Sequence, residues 1–155
     1  MPTAWEAGVG TWGPEPFDSD TAADYLDDLG ELSPPMRLDA IVRTLGSVPE
    51  TPRETAPGDG VRRPADALPE EVIAAAAVVA ANLPSGERLP WNGEVAGITE
   101  WLPQPVPEAV RSLAIGALDA AVPAGGWWWR SWVDDADRDR AAGALDRLRA
   151  ALGGG

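Results

Sequence analysis

Residues 72–81 read VIAAAAVVAA. Ten apolar residues in succession leave no polar face for water, so a helix built from them belongs inside a bundle rather than on its surface. Its alanines let neighbouring helices approach closely. The run is well short of the ~20 residues that cross a bilayer, so it predicts a core helix and no membrane span. With its flanks it predicts a central third helix from Asp66 or Pro69 to Asn82.

The flanking segments carry the complementary pattern. From Asp20 to Leu32, Ala22, Leu26 and Leu29 recur at i, i+4, i+7, while Asp24, Asp27, Asp28 and Glu31 recur on another face. Ser33 as cap, Pro34 in the first turn, Leu38, Ile41, Val42 and Leu45 at helical spacing, and Gly46 as stop bound a second helix. Residues 47–63 hold three prolines and two glycines and read as an exposed loop. After the break LPSGERLP, a short helix is expected from Gly93 to Leu102, with Val95, Ile98, Trp101 and Leu102 inward. Pro103, Pro105 and Pro107 separate it from a helix over 107–121 that Pro123 ends. A last helix, Asp135 to Leu152, is expected to bury Ala141, Leu145, Leu148 and Leu152 and to expose Arg138, Arg140, Arg147 and Arg149.

Ahead of the first helix, Gly10, Gly13, Pro14 and Pro16 fix a turning segment that presents Trp12 and Phe17 as apolar anchors. Asp18, Ser19 or Asp20 is placed to accept from the free N–H groups of the helix that follows. Neither an internal repeat nor strand-like alternation is visible. The expectation is an all-α fold: one compact domain over residues 10–152 of about five to six helices, with an irregular Trp/Gly/Pro-rich N-terminal segment, residues 1–9 as a leader and 153–155 as a tail.

Composition narrows the chemistry. The 155 residues include no cysteine, no histidine and no lysine, all 12 basic residues being arginine. That excludes thiolate and lysine nucleophiles and every Ser-His or Cys-His arrangement, leaving 25 carboxylates, one tyrosine, a few hydroxyls and the arginines. The expectation is a protein that is not an enzyme and that carries no cofactor.

The net charge of −13 is uneven: residues 1–36 hold eight acids and no arginine, leaving −5 for the remainder. Such a field opposes binding to nucleic acid or to an anionic membrane and favours solubility or a basic partner. The first ten residues lack the basic and apolar regions of a signal peptide, and the chain reads as cytoplasmic.

The opening GTWGPEPFDSDTAADYL resembles the start of the bacterial domain-of-unknown-function family 4259, whose members begin Gly-x-Trp-Gly-x-Gly-x-Phe-(Asp/Glu)-Asn-Asp-x-Ala-x-Asp-aromatic. Gly10, Trp12, Gly13, Phe17, Asp18, Asp20, Ala22 or Ala23, Asp24 and Tyr25 occupy the matching positions. The Ala-rich third helix, the Trp101 region and the ending ALDRLRAAL also look like their counterparts, so the resemblance covers Gly10 to Leu152. The sequence departs at Glu15, at Ser19 in place of Asn, and in the Trp127–Trp132 segment. The resemblance implies a small helical bacterial protein of no established activity and leaves function open.

Three groups of residues are candidates for function. Asp18, Asp20, Asp24, Asp27 and Asp28 could ligate Ca²⁺ or Mg²⁺ or share a proton. Their spacing matches no cation-loop template, and helix capping with a solvated face accounts for them without a metal. On that reading Trp12, Phe17, Asp18 and Asp20 are structural anchors, while Asp24, Asp27, Asp28 and Glu31 form an outward acidic face for a partner.

The second group, Trp127, Trp128, Trp129 and Trp132, cannot all enter one core from adjacent helical positions and offers a patch for a protein partner or a homodimer. The third, Arg130, Arg138 and Arg140, is a basic spot that could pair with the acidic first helix. The leading expectation is an acidic protein-binding module. An inhibitor or immunity-type protein that caps a basic, nucleic-acid-directed partner is one alternative, and a self-associating structural protein is another.

Overall fold

The computed structural model describes residues 15–47, 68–122 and 135–153. Among them the chain forms five α-helices and no strand: α1 (Asp20–Gly30), α2 (Pro34–Gly46), α3 (Pro69–Ala81), α4 (Glu108–Ala121) and α5 (Asp135–Gly153). Three short 3₁₀ segments, Pro84–Gly86, Pro90–Glu94 and Ile98–Glu100, connect α3 to α4. The fold is a compact all-α bundle, as the periodicity predicts. No described helix is long and apolar enough to cross a membrane.

α3 is the centre. Every residue from Val72 to Ala81 is buried, and α1, α2, α4 and α5 all pack against it. Pro69 occupies its first turn, and the Glu71 carboxylate accepts from the Leu68 N–H at 2.8 Å, satisfying one of the donors that a helix start leaves open. The alanines let four helices converge on one cylinder, so a larger side chain at Ala75 or Ala76 would overpack the core at a cost of ~1–3 kcal/mol.

α1 begins at Ser19, whose hydroxyl accepts from the Ala22 N–H at 3.0 Å. Of the three candidate caps it is Ser19 that serves. Asp18 instead accepts from the Glu15 N–H at 3.1 Å and closes the preceding turn, and Asp20 stands exposed in the first turn. Phe17 is buried beside Ala22, Leu26 and Leu29. Trp12 lies outside the described residues.

α1 ends on a cation. Arg37 of α2 donates through Nε to the Leu29 carbonyl at 2.9 Å and through Nη2 to the Gly30 carbonyl at 3.3 Å, while its guanidinium lies 4.9 Å from the Trp101 ring centre. A positive charge at a helix C-terminus stabilises the exposed carbonyls.

The expected helix from Gly93 to Leu102 is replaced by the last two 3₁₀ segments, broken at Gly97, which has φ of +70°. A left-handed residue ends an α-helix, and a hub on α3 holds the unwound arm. The buried Asn82 side chain donates to the Val78 and Ile98 carbonyls at 2.8 and 2.9 Å and accepts from the Leu102 N–H at 3.1 Å. Ile98 and Leu102 are buried as expected, whereas Val95 and Trp101 are only partly so.

Candidate functional site

The four outward acids of α1 all stand in solvent. Asp24, Asp27, Asp28 and Glu31 are exposed, and none has an ion pair among the described residues. The arginines of α5 leave them alone: Arg138 pairs with Asp135 at 2.7 Å, Arg140 with Asp137 at 3.7 Å, and Arg149 reaches Asp119 of α4 at 3.2 Å. Among the described residues, Arg138 and Arg140 of that basic spot therefore pair within α5 and not with the first helix. Arg130 lies outside the described residues, as do Trp127, Trp128, Trp129 and Trp132.

Tyr25, the one tyrosine, is structural in its contacts. Its hydroxyl donates to Thr44 Oγ1 at 2.8 Å and ties α1 to α2. Burial pushes its pKa up to about 12, against the hydrogen bond with Thr44, with Glu71 adding to the rise and Arg43 opposing it.

A cleft of about 470 Å³ opens beside the acidic face. Phe17, Ala23 and Leu26 line one side and Val95, Ala96 and Trp101 the other; Asp27 and Glu94 are the charged residues in its lining. The arrangement suits a group with an apolar stem and a cationic head, which is the build of an arginine or lysine side chain. α1 supplies Asp27, and the 3₁₀ segment Pro90–Glu94 supplies Glu94.

Glu94 is also the meeting point of a carboxylate cluster. Glu15, Asp18 and Glu94 can place oxygens within 4.8 Å of one another. Burial raises the Glu94 pKa above its ordinary value, the charges of Asp18 and Glu15 push it the same way, and a hydrogen bond with Asp18 contributes. Three carboxylates supply oxygen donors of the kind a hard cation takes, though fewer than the six to eight ligands calcium prefers. Of the acids expected to cluster, only Asp18 belongs; Asp20, Asp24, Asp27 and Asp28 do not. Glu94 could not be found from spacing, because only the fold brings it beside Asp18.

On the far side of this cluster lies a second cleft of about 510 Å³, lined by Glu15, Asp18, Trp91, Arg140, Gly143, Ala144 and Arg147. Glu15 and Asp18 face this cleft and Glu94 the first, so the two clefts abut across the three carboxylates.

Comparison with known proteins gives one match. The family model described as "Domain of unknown function (DUF4259)" matches residues 10–144. No curated protein and no solved structure matches the chain.

Proposed function

The chain belongs to the DUF4259 family, and from the geometry of its acidic side we propose that it is a binding module that takes a basic protein partner on α1, with one arginine or lysine of that partner seated in the cleft between Asp27 and Glu94. The observation that carries this reading is the row of unpaired acids leading to a cleft whose charged lining is acidic throughout. An acid row without internal partners keeps its field for an incoming molecule, and opposite charge accelerates encounter and selects among partners more than it adds affinity. The apolar walls from Phe17, Leu26, Val95 and Trp101 would supply the burial that surface charge alone does not. Inhibition of a nucleic-acid-directed protein is one use of such a surface, since a nucleic-acid-binding face is itself basic.

Affinity capture with matched variants tests the reading. A partner held by the wild-type protein is expected to be lost on Asp24→Asn, Asp27→Asn, Asp28→Asn combined. It is expected to be retained on Asp119→Asn, Asp139→Asn, Asp146→Asn, which removes the same charge elsewhere. Equal loss in both sets would reduce the effect to net charge and overturn the assignment of the site.

A further inference from the structure

The second cleft has two walls of opposite sign. Glu15 and Asp18 come from the turn ahead of α1, whereas Arg140 and Arg147 come from one face of α5, two turns apart with Gly143 between them. Such charges ordinarily close on each other when they can. Here neither guanidinium forms an ion pair with either carboxylate: Arg140 reaches only Asp137, at 3.7 Å, and Arg147 has no hydrogen bond or ion pair among the described residues.

Two further residues shape the cleft. Trp91, which lines it, is 1 % exposed, yet its indole Nε1–H has no acceptor. The indole nitrogen is sealed from solvent, so Trp91 forms part of the buried base of the cleft and its ring reports on what enters. Gly143 lies in the middle of a helix, where glycine is unfavourable, and a Cβ built there meets no atom within 4 Å. Nothing in the packing requires glycine at that position, and its absent side chain leaves the cleft wider.

We propose that this cleft binds a zwitterionic small molecule of the amino-acid class, its ammonium group on Glu15 and Asp18 and its carboxylate on Arg140 and Arg147. A purely anionic ligand would bring its charge beside two carboxylates, and a purely cationic one would bring it beside two guanidiniums. A dipolar ligand compensates both walls at once, and a guanidinium meets a carboxylate through paired hydrogen bonds.

The test is a titration of the full chain, ¹⁵N-labelled at tryptophan, with glycine, 4-aminobutanoate, 6-aminohexanoate and 8-aminooctanoate, and with hexylamine and hexanoate as one-charge analogues. Binding is followed through the Trp91 indole resonance, identified by its loss in Trp91→Phe. One length of the zwitterion series is expected to bind at least tenfold more tightly than either analogue and to move that resonance.

Arg147→Gln is expected to remove this tenfold advantage, and Gly143→Leu, whose side chain projects into the open space, to abolish binding. Both positions are exposed, and far-UV circular dichroism is expected to show both variants folded. Hexylamine or hexanoate binding as tightly as the best zwitterion would overturn the proposal. So would an unmoved Trp91 resonance, or Gly143→Leu binding as the wild type does.

Discussion

The Asn82 side chain accepts a hydrogen bond from the Leu102 N–H at 3.1 Å, and through it the last turn of α3 holds the non-helical arm that carries Glu94 and Trp101. The same carboxamide donates to the Ile98 carbonyl at 2.9 Å and accepts from Gln104 Nε2 at 3.2 Å. One buried polar group therefore sets the far wall of the acidic cleft.

Asn82→Ala is expected to cost ~3 kcal/mol, because it removes several buried hydrogen bonds and leaves the Leu102 N–H and Ile98 carbonyl without partners. Urea unfolding reads this loss. A cost below ~1 kcal/mol would mean that burial of Ile98 and Leu102 alone holds the arm.

Tyr25 gives an unusually clean alkaline signal. The chain has no lysine and no cysteine, so Tyr25 is the one side chain that titrates between about pH 8 and 12. Its folded pKa of about 12 lies above the ordinary tyrosine value of 10.0, so the unfolded chain gives up the proton first. The contribution of Tyr25 to stability is thus constant below pH 10 and is lost as pH rises from 10 towards 12. Tyr25→Phe is expected to cost ~1 kcal/mol at neutral pH through the lost bond to Thr44 and to flatten the alkaline decline. An equally steep decline in the variant would place its origin elsewhere.

Glu94 acts in the acid range. Its folded pKa is raised above 4.5, so the folded state holds the proton more tightly than the unfolded chain does. The stabilisation from the protonated form is complete at low pH and is lost as pH rises above 4.5. Glu94→Gln is expected to be more stable than the wild type at neutral pH, with the difference shrinking as pH falls below 4.5. A variant that is less stable at pH 7 would contradict the repulsion assigned to Asp18 and Glu15.

Two buried-versus-open glycines make opposite predictions. Gly143→Ala is expected to stabilise by ~0.5–1 kcal/mol, since the added Cβ meets nothing and alanine favours the helix. Gly86→Ala would drive its Cβ into the Ala80 carbonyl and is expected to destabilise by at least ~2 kcal/mol. Thermal melts of the pair separate the two effects, and a stabilised Gly86→Ala would show that the Pro84–Gly86 turn can shift.

The helices are legible in the chain because each rests on local chemistry. Val72–Ala81 has no polar face, the second helix has Pro34 at its start and Gly46 at its end, and Ala22, Leu26 and Leu29 share one stripe of α1. The connection between α3 and α4 is not legible in the same way. Its shape depends on a left-handed Gly97 and on bonds that Asn82 makes to residues far along the chain.

The site divides along the same line. Exposure of Asp24, Asp27, Asp28 and Glu31 follows from helical spacing, whereas Glu94 joins Asp18 only through the folded arm. Trp91 carries no local signal at all: a lone tryptophan between Pro90 and Asn92 reads as one more loop residue until the core closes over it.

The most direct test of the acidic cleft is a titration with n-butylguanidinium, a free arginine head on an apolar stem, followed through backbone amide resonances. The account predicts shifts concentrated at Asp27, Gly30, Glu94 and Trp101 and their loss in Asp27→Asn, with Asp119 and Asp146 unmoved. Shifts spread evenly over the exposed acids, or undiminished in Asp27→Asn, would contradict it.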